Sequence, residues 1–188
     1  MCGITGFYNP MGGDPDAVAS IAASMAASIS HRGPDDSGVW IGDNNKLALA
    51  HQRLSVVDLS SAGHQPMNSE TGRFTIIFNG EIYNHKEIKV YLNRPAWRGE
   101  SDTEVLLEAI EQWGLQHALS RCDGMFAFVL YDHNLKRISL VRDRIGEKPL
   151  YYGWSNEVFL FGSELKCIKS HPLFERKINL EAVTLYFN

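Results

Sequence analysis

Apolar residues open the chain almost at once: residues 3–8 form a short run closed by Asn9-Pro10, which predicts a strand at the very start of the protein. Asp14 followed by Pro15 suits a helix cap and first helical position. Val18, Ile21, Ala22, Met25 and Ile29 then recur at helical spacing, which gives that helix one buried stripe. The loop His31-Arg32-Gly33-Pro34-Asp35-Asp36 follows. Short β-like runs come next, at residues 38–41, 47–51, 54–59 and 73–78, with turn residues between them. Residues 84–92 suit a short helix. Residues 102–113 predict a clearer one, with Val105, Leu106, Ala109, Ile110 and Trp113 on one face. Residues 125–131 and 137–141 read as a hairpin across His133-Asn134, and Tyr151-Tyr152 and residues 158–161 add further strands.

In residues 125–131 both alternating sets are apolar, Phe126, Phe128 and Leu130 on one side and Ala127, Val129 and Tyr131 on the other. A strand of that kind must be covered on both faces. Several such strands with amphipathic helices at intervals predict an α+β protein of stacked sheets between helical layers. From about Lys169 the strand pattern fades, and residues 179–187 read as the start of another helix. The organisation expected is one domain over residues 1–170, with 171–188 a tail or the beginning of a following domain.

At 188 residues, 44% of them hydrophobic and 11% aromatic, the chain can bury a substantial core, which excludes a disordered or collagen-like protein. The net charge of −4 comes without a Lys/Arg block, so neither nucleic acid nor a membrane is expected as a partner. Cys2, Cys122 and Cys167 are widely spaced and odd in number, which argues against a disulfide framework or a Cys-x-x-Cys metal site and favours a reducing, cytoplasmic setting. The Ala-rich residues 17–29 lack the basic approach of a signal peptide and are interrupted by Ser20, Ser24 and Ser28. The chain is expected to keep its own N-terminus.

That makes Cys2 the most informative residue. Removal of Met1 would leave a thiol and a free α-amine on one residue, nucleophile and base together. Their ordinary pKa values, about 8.5 and 7.7–8.0, leave part of the amine able to accept the thiol proton near neutrality. The alternative is a small buried hydrophobe at position 2. Asn79-Gly80 is first of all a type I′ hairpin signal; a side-chain amide and a glycine N–H at a strand end can also serve as an oxyanion hole. Arg53 and Asp102 offer the guanidinium and carboxylate that a free α-amino acid would need. They are equally accounted for as a surface charge and as part of the helix start Ser101-Asp102-Thr103-Glu104. His31, His51, His64 and His85 show no metal-ligand spacing and are expected to hydrogen-bond structurally. Gly146-Glu147-Lys148-Pro149 lacks the upstream Gly and the following Ser/Thr of a phosphate loop.

Seven segments stand in the order found in one family. They are Met1-Cys2-Gly3-Ile4-Thr5-Gly6, His31-Arg32-Gly33-Pro34-Asp35, His51-Gln52-Arg53-Leu54-Ser55-Val56-Val57-Asp58, Phe78-Asn79-Gly80-Glu81-Ile82-Tyr83-Asn84, Ser101-Asp102-Thr103-Glu104, Gly124-Met125-Phe126-Ala127-Phe128 and the run from Arg142 through Lys148 to Tyr152. Together they resemble the glutaminase domain of glutamine-dependent asparagine synthetases, a class II glutamine amidotransferase domain. The resemblance implies the four-layer αββα sandwich of the N-terminal-nucleophile hydrolases, with Cys2 attacking the side-chain amide of L-glutamine. It also implies that Asn79 and Gly80 hold the oxyanion, that Arg53 faces the substrate α-carboxylate and Asp102 its α-ammonium, and that Leu54, Val56, Val57 and Glu81 add contacts.

Members of that family continue into a synthetase domain that uses ATP and Mg²⁺ through a Ser-Gly-Gly-x-Asp-Ser loop, and these 188 residues contain no such loop. The expectation is a module that makes ammonia from L-glutamine without a metal or cofactor of its own, for a C-terminal synthetase domain in cis or in trans. A homodimer is left open. The competing readings are a non-catalytic glutamine-binding or regulatory module of the same fold, and an N-terminal-nucleophile amidohydrolase acting on a different amide.

Overall fold

In the computed structural model, which describes residues 1–178 and 180–187, the chain folds into two antiparallel sheets. One contains β1 (Gly3–Tyr8), β2 (Asp36–Gly42), β3 (Leu47–Arg53), β8 (Tyr151–Ser155) and β9 (Val158–Gly162) in the order β2-β3-β1-β9-β8. The other is β4-β5-β6-β7, from β4 (Met67–Asn68), β5 (Phe74–Ile82), β6 (Gly124–Asp132) and β7 (Arg137–Arg142). Helices α1 (Pro15–Ala27) and α5 (Leu165–Lys169) accompany the first sheet; α2 (His85–Val90), α3 (Asp102–Trp113) and α4 (Leu115–Arg121) accompany the second. A further helix, α6, covers Leu180–Phe187.

Strand alternation sorts the side chains into three buried layers. Phe7, Ala48, Ala50 and Leu160 meet Val18, Ala22, Met25 and Ile29 of the α1 region. Phe74, Ile76, Phe78, Phe126, Phe128 and Leu130 meet Val105, Leu106, Ala109 and Ile110 of α3. Between the sheets lie Ile4, Leu47, Leu49, Ile77, Ala127, Val129, Tyr131 and Phe161. The result is helix, sheet, sheet, helix, and the two-faced apolar strand β6 is covered on both sides as its sequence requires. Where the sheets approach, Gly6 is needed for space: a Cβ there would lie 2.6 Å from the Phe161 ring.

The ends of the elements follow local chemistry. Asp14 caps α1 by accepting the N–H of Ala17 at 3.0 Å, and Ser101 caps α3 by accepting that of Thr103 at 3.1 Å. The β6–β7 hairpin closes through residues 133–136, because Asp132 accepts the N–H groups of Asn134 and Leu135.

Two sequence expectations are corrected. Residues 54–59 form no strand: Ser55 donates to the Asp35 carboxylate, and the Arg53 guanidinium gathers the carbonyls of Asp58 and Ser60, folding the segment back away from any pairing edge. Asn79-Gly80 is not a turn but lies inside β5, opposite Ala127 and Phe126. Its neighbours Phe78 and Ile82 keep the strand going because each is buried, which overrides the local turn preference. The short pieces β4, α4 and α5 were not anticipated; the predicted helix over residues 179–187 is observed from Leu180, and Asn179 lies outside the described residues.

Candidate active site

At one end of the inter-sheet layer the apolar side chains give way to polar ones. Cys2 continues the alternation of Ile4; His51 and Arg53 continue that of Leu47 and Leu49; Asn79 and Glu81 continue that of Ile77. The same periodicity that builds the core therefore carries these side chains to a cavity of about 160 Å³, lined by Cys2, Arg53, Asn79, Gly80, Glu81 and Asp102 among others. Leu54, Val56 and Val57 border it as well, so all nine site residues expected from the sequence meet here. That volume is below the roughly 300–1,000 Å³ typical of pockets for drug-sized ligands and suits one small molecule.

Cys2 is half-buried. Its Sγ accepts the N–H of Leu54 at 3.4 Å and lies 3.6 Å from the Leu54 carbonyl oxygen. Burial pushes the thiol pKa up, opposed by the Leu54 N–H and by the positive N-terminus. The Cys2 carbonyl accepts Nε of Arg32 at 2.9 Å, and Arg32 is in turn held by Glu164 at 3.1 Å. Met1 also borders the cavity, its Sδ 3.1 Å from Nζ of Lys148. While Met1 is present, the α-amine sits one residue away from the thiol.

Beyond Ile76 the β4 side of β5 is a free edge among the described residues. The Phe126 N–H donates to the Asp143 carboxylate at 3.1 Å and its carbonyl accepts the Asp143 N–H at 2.8 Å, which leaves Gly80 and Phe126 as a non-hydrogen-bonded pair and turns the N–H groups of Phe78, Gly80 and Ile82 outward. Since β4 pairs only as far as Ile76, no strand takes them. Gln65 Oε1 accepts Phe78 N–H at 2.6 Å and Asp102 Oδ2 accepts Ile82 N–H at 2.9 Å. The N–H of Gly80 lies between these two and faces the cavity. A side chain at this position would collide with the Met125 carbonyl and lie 2.6 Å from Cα of Phe126. Beside Gly80, the Asn79 amide is 1% exposed, and neither its nitrogen nor its oxygen has a hydrogen-bond partner among the described residues.

Arg53 and Asp102 are both buried. The Arg53 guanidinium donates to the carbonyls of Ser60, at 2.9 Å, and Asp58, and borders the cavity. The Asp102 carboxylate accepts from Ile82 and Thr103; burial pushes its pKa up against those hydrogen bonds. Asp102 therefore starts α3 and borders the cavity at once, reconciling the two readings of that residue. The four histidines weighed as metal ligands all hydrogen-bond: His31 to Glu164, His51 to the Phe78 carbonyl, His64 to Asp36 and His85 to the Ile82 carbonyl.

Gln65, Asp58, Ser101, Thr103, Met125 and Lys148 also line the cavity and were not singled out from the sequence. Gln65 bridges Phe78 to Thr103, a role no local pattern announces. The N–H groups of Glu147 and Lys148, in the segment that superficially suggested a phosphate loop, are already given to the Asp143 carboxylate. Among the described residues no group of three or more His, Cys, Asp or Glu is placed to hold a metal, and no helix is long and apolar enough to cross a membrane.

Comparison with known proteins matches residues 1–188 to the profile of a family described as a glutamine amidotransferase domain. "Asparagine synthetase [glutamine-hydrolyzing] 2" of Bacillus subtilis is 38% identical over 95% of the chain, which covers 24% of that protein. "Amidase chry2" of Gibberella zeae is 37% identical over 88% of the chain and 26% of its own length. The chain thus spans about a quarter of the length of these relatives. Among solved structures, glutamine phosphoribosylpyrophosphate amidotransferase of B. subtilis superposes with a TM-score of 0.75 at 21% identity, covering 90% of this chain and 43% of that one. That likeness establishes a shared fold, the two sheets packed between helical layers described above.

Proposed function

The chain belongs to the glutamine amidotransferase domain family, and from that premise we propose that it hydrolyses the side-chain amide of L-glutamine to glutamate and ammonia through a Cys2 thioester. With Met1 removed, the Cys2 α-amine takes the thiol proton while Sγ attacks the amide carbon. The oxygen then bears the charge, held by Asn79 Nδ2 and Gly80 N–H. The amine passes its proton to the departing ammonia, and water cleaves the thioester. Arg53 faces the substrate α-carboxylate and Asp102 its α-ammonium, with Leu54, Val56, Val57 and Glu81 completing the wall.

The observation that carries this reading is the Asn79 amide: buried, without a hydrogen-bond partner among the described residues and next to an outward-facing glycine N–H. An orphaned polar group costs stability, and one that awaits an oxyanion has a use for it. A regulatory module with no chemistry would have no need to keep it so. The Arg53 guanidinium and Asp102 carboxylate in one cavity favour a free α-amino acid over other amides.

Glutamate release should appear only with protein whose intact mass shows loss of one Met. Cys2→Ala should abolish it, and Asn79→Ala should lower kcat about 10²–10³-fold, the cost of one oxyanion donor. An active Cys2→Ala protein would overturn the assignment.

Residues 1–170 would form this glutaminase unit, delivering ammonia to a synthetase domain in cis or in trans, where ATP and Mg²⁺ would activate a carboxylate such as aspartate. The greater length of the relatives supports that arrangement. Expressed alone, the chain should release ammonia from glutamine without consuming ATP.

A further inference from the structure

The two charged groups assigned to the amino-acid end of the cavity stand on separate segments, Arg53 at the end of β3 and Asp102 at the start of α3. One residue, Asp58, ties them together. The main-chain carbonyl of Asp58 accepts Nη2 of Arg53. Its carboxylate accepts the N–H of Ser60 at 2.7 Å within its own loop, and the N–H of Glu100 at 2.9 Å, two residues before Asp102. Gly99 lies so close to this junction that a Cβ there would press on Oδ2 of Asp58 and sit 2.8 Å from Cβ of Ala62.

Each side of the junction is otherwise anchored differently. The segment before α3 is fixed from behind by the buried Glu104, which accepts the N–H groups of Arg98 at 3.0 Å and Gly99 at 3.2 Å. The segment after Arg53 joins no sheet, so its placement draws on Asp58, on the Arg53 guanidinium, on the bond from Ser55 to Asp35 and on the contact of Leu54 with the Cys2 thiol. The Asp58 carboxylate is itself buried; burial raises its pKa, but the Ser60 hydroxyl and the N–H groups of Glu100 and Ser60 outweigh that and hold it below the ordinary value.

We propose that Asp58 is a specificity-determining positioning residue: by clamping the segment after β3 to the approach of α3, it sets the separation of the Arg53 guanidinium from the Asp102 carboxylate, and so selects an amide that carries both charges of a free α-amino acid. The proposal rests on the glutamine reading above. Asp58 acts through Arg53 and Asp102 and has no hydrogen bond to the thiol among the described residues, so its loss registers first in substrate recognition.

The test compares L-glutamine with glutaramate, which keeps the amide and one carboxylate but lacks the α-ammonium, using protein freed of Met1. Asp58→Asn places an amide N–H₂ against backbone donors and should raise KM for glutamine about tenfold, as expected for one charge-assisted hydrogen bond, with kcat within about twofold. On glutaramate kcat/KM should stay within about twofold. Gly99→Ala strains the same contact from the opposite segment and should give the same KM rise, and the double variant should add little to the larger single effect. Glutamine KM unchanged in both variants, or equal losses on both substrates, would overturn the proposal. If Arg53→Lys and Asp102→Asn themselves leave glutamine KM unchanged, the recognition reading fails first and takes this proposal with it.

Discussion

Replacing Asn79 by Leu should make the protein more stable and inactive at once. Asn79 stands in β5 with Ile77 on the same face, packed between two sheets, and its amide is buried with both polar atoms unpartnered among the described residues. Burying an unsatisfied amide costs about 1–3 kcal/mol, and a Leu of similar shape would recover that and add apolar burial, less some overpacking strain. A net gain of roughly 1–2 kcal/mol corresponds to a rise in Tm of about 2–8 °C in a domain of this size. Thermal unfolding followed by circular dichroism reads the gain; glutamate release from glutamine reads the loss, expected at about 10²–10³-fold or more. Asn79→Ala separates the two effects, since it removes the amide without refilling its space and should gain less stability. A lower Tm for Asn79→Leu would mean that the amide is satisfied in the resting protein, and the case for an oxyanion donor held in reserve would be lost.

Other perturbations test the frame around the site. Gln65→Met should cost about 1–3 kcal/mol in urea unfolding, because Phe78 N–H would lose its 2.6 Å acceptor on the free edge of β5. Gly6→Ala should destabilise by about 2 kcal/mol or more, since the new methyl would meet the Phe161 ring between the sheets. The pH dependence should carry a His51 signature. Burial lowers its pKa to about 4 against the Phe78 hydrogen bond, so the unfolded chain binds the proton first as pH falls. Stability is then full above about pH 6.5 and declines towards pH 4 by about 3 kcal/mol. His51→Gln should flatten that slope in urea unfolding measured from pH 7 to 4; an unchanged slope would assign it to the carboxylates.

Most of the fold was legible because its strands are short and strongly patterned. Gly3–Tyr8 and Asp102–Trp113 form as read, and the double apolar alternation in β6 announced cover on both faces. What failed did so for non-local reasons. Residues 54–59 carry Leu, Val and Val in a run that suits a strand, yet sheet formation needs a free edge to pair with, and the Arg53 guanidinium supplies competing donors that take the carbonyls of Asp58 and Ser60. Asn79-Gly80 has the strongest hairpin signal in the chain, but nine consecutive register contacts with β6 outweigh a two-residue preference.

The same distinction separates the site residues that were legible from those that were not. Cys2, Asn79, Arg53 and Asp102 are chemically conspicuous, and the alternation of their strands brings the first three to one layer. Asp58 and Gln65 do their work through partners 42 and 13 positions away, Glu100 and Phe78, so their function exists only once the segments have met. Gly99 shows the consequence most plainly. In the sequence it is a glycine in a polar stretch with no demand for an unusual backbone angle; in the fold it is required because a carboxylate from another segment occupies the space where its side chain would be. Polar residues that recognise substrate through each other can be read as chemistry from the chain, whereas the distance between them is a property of packing alone.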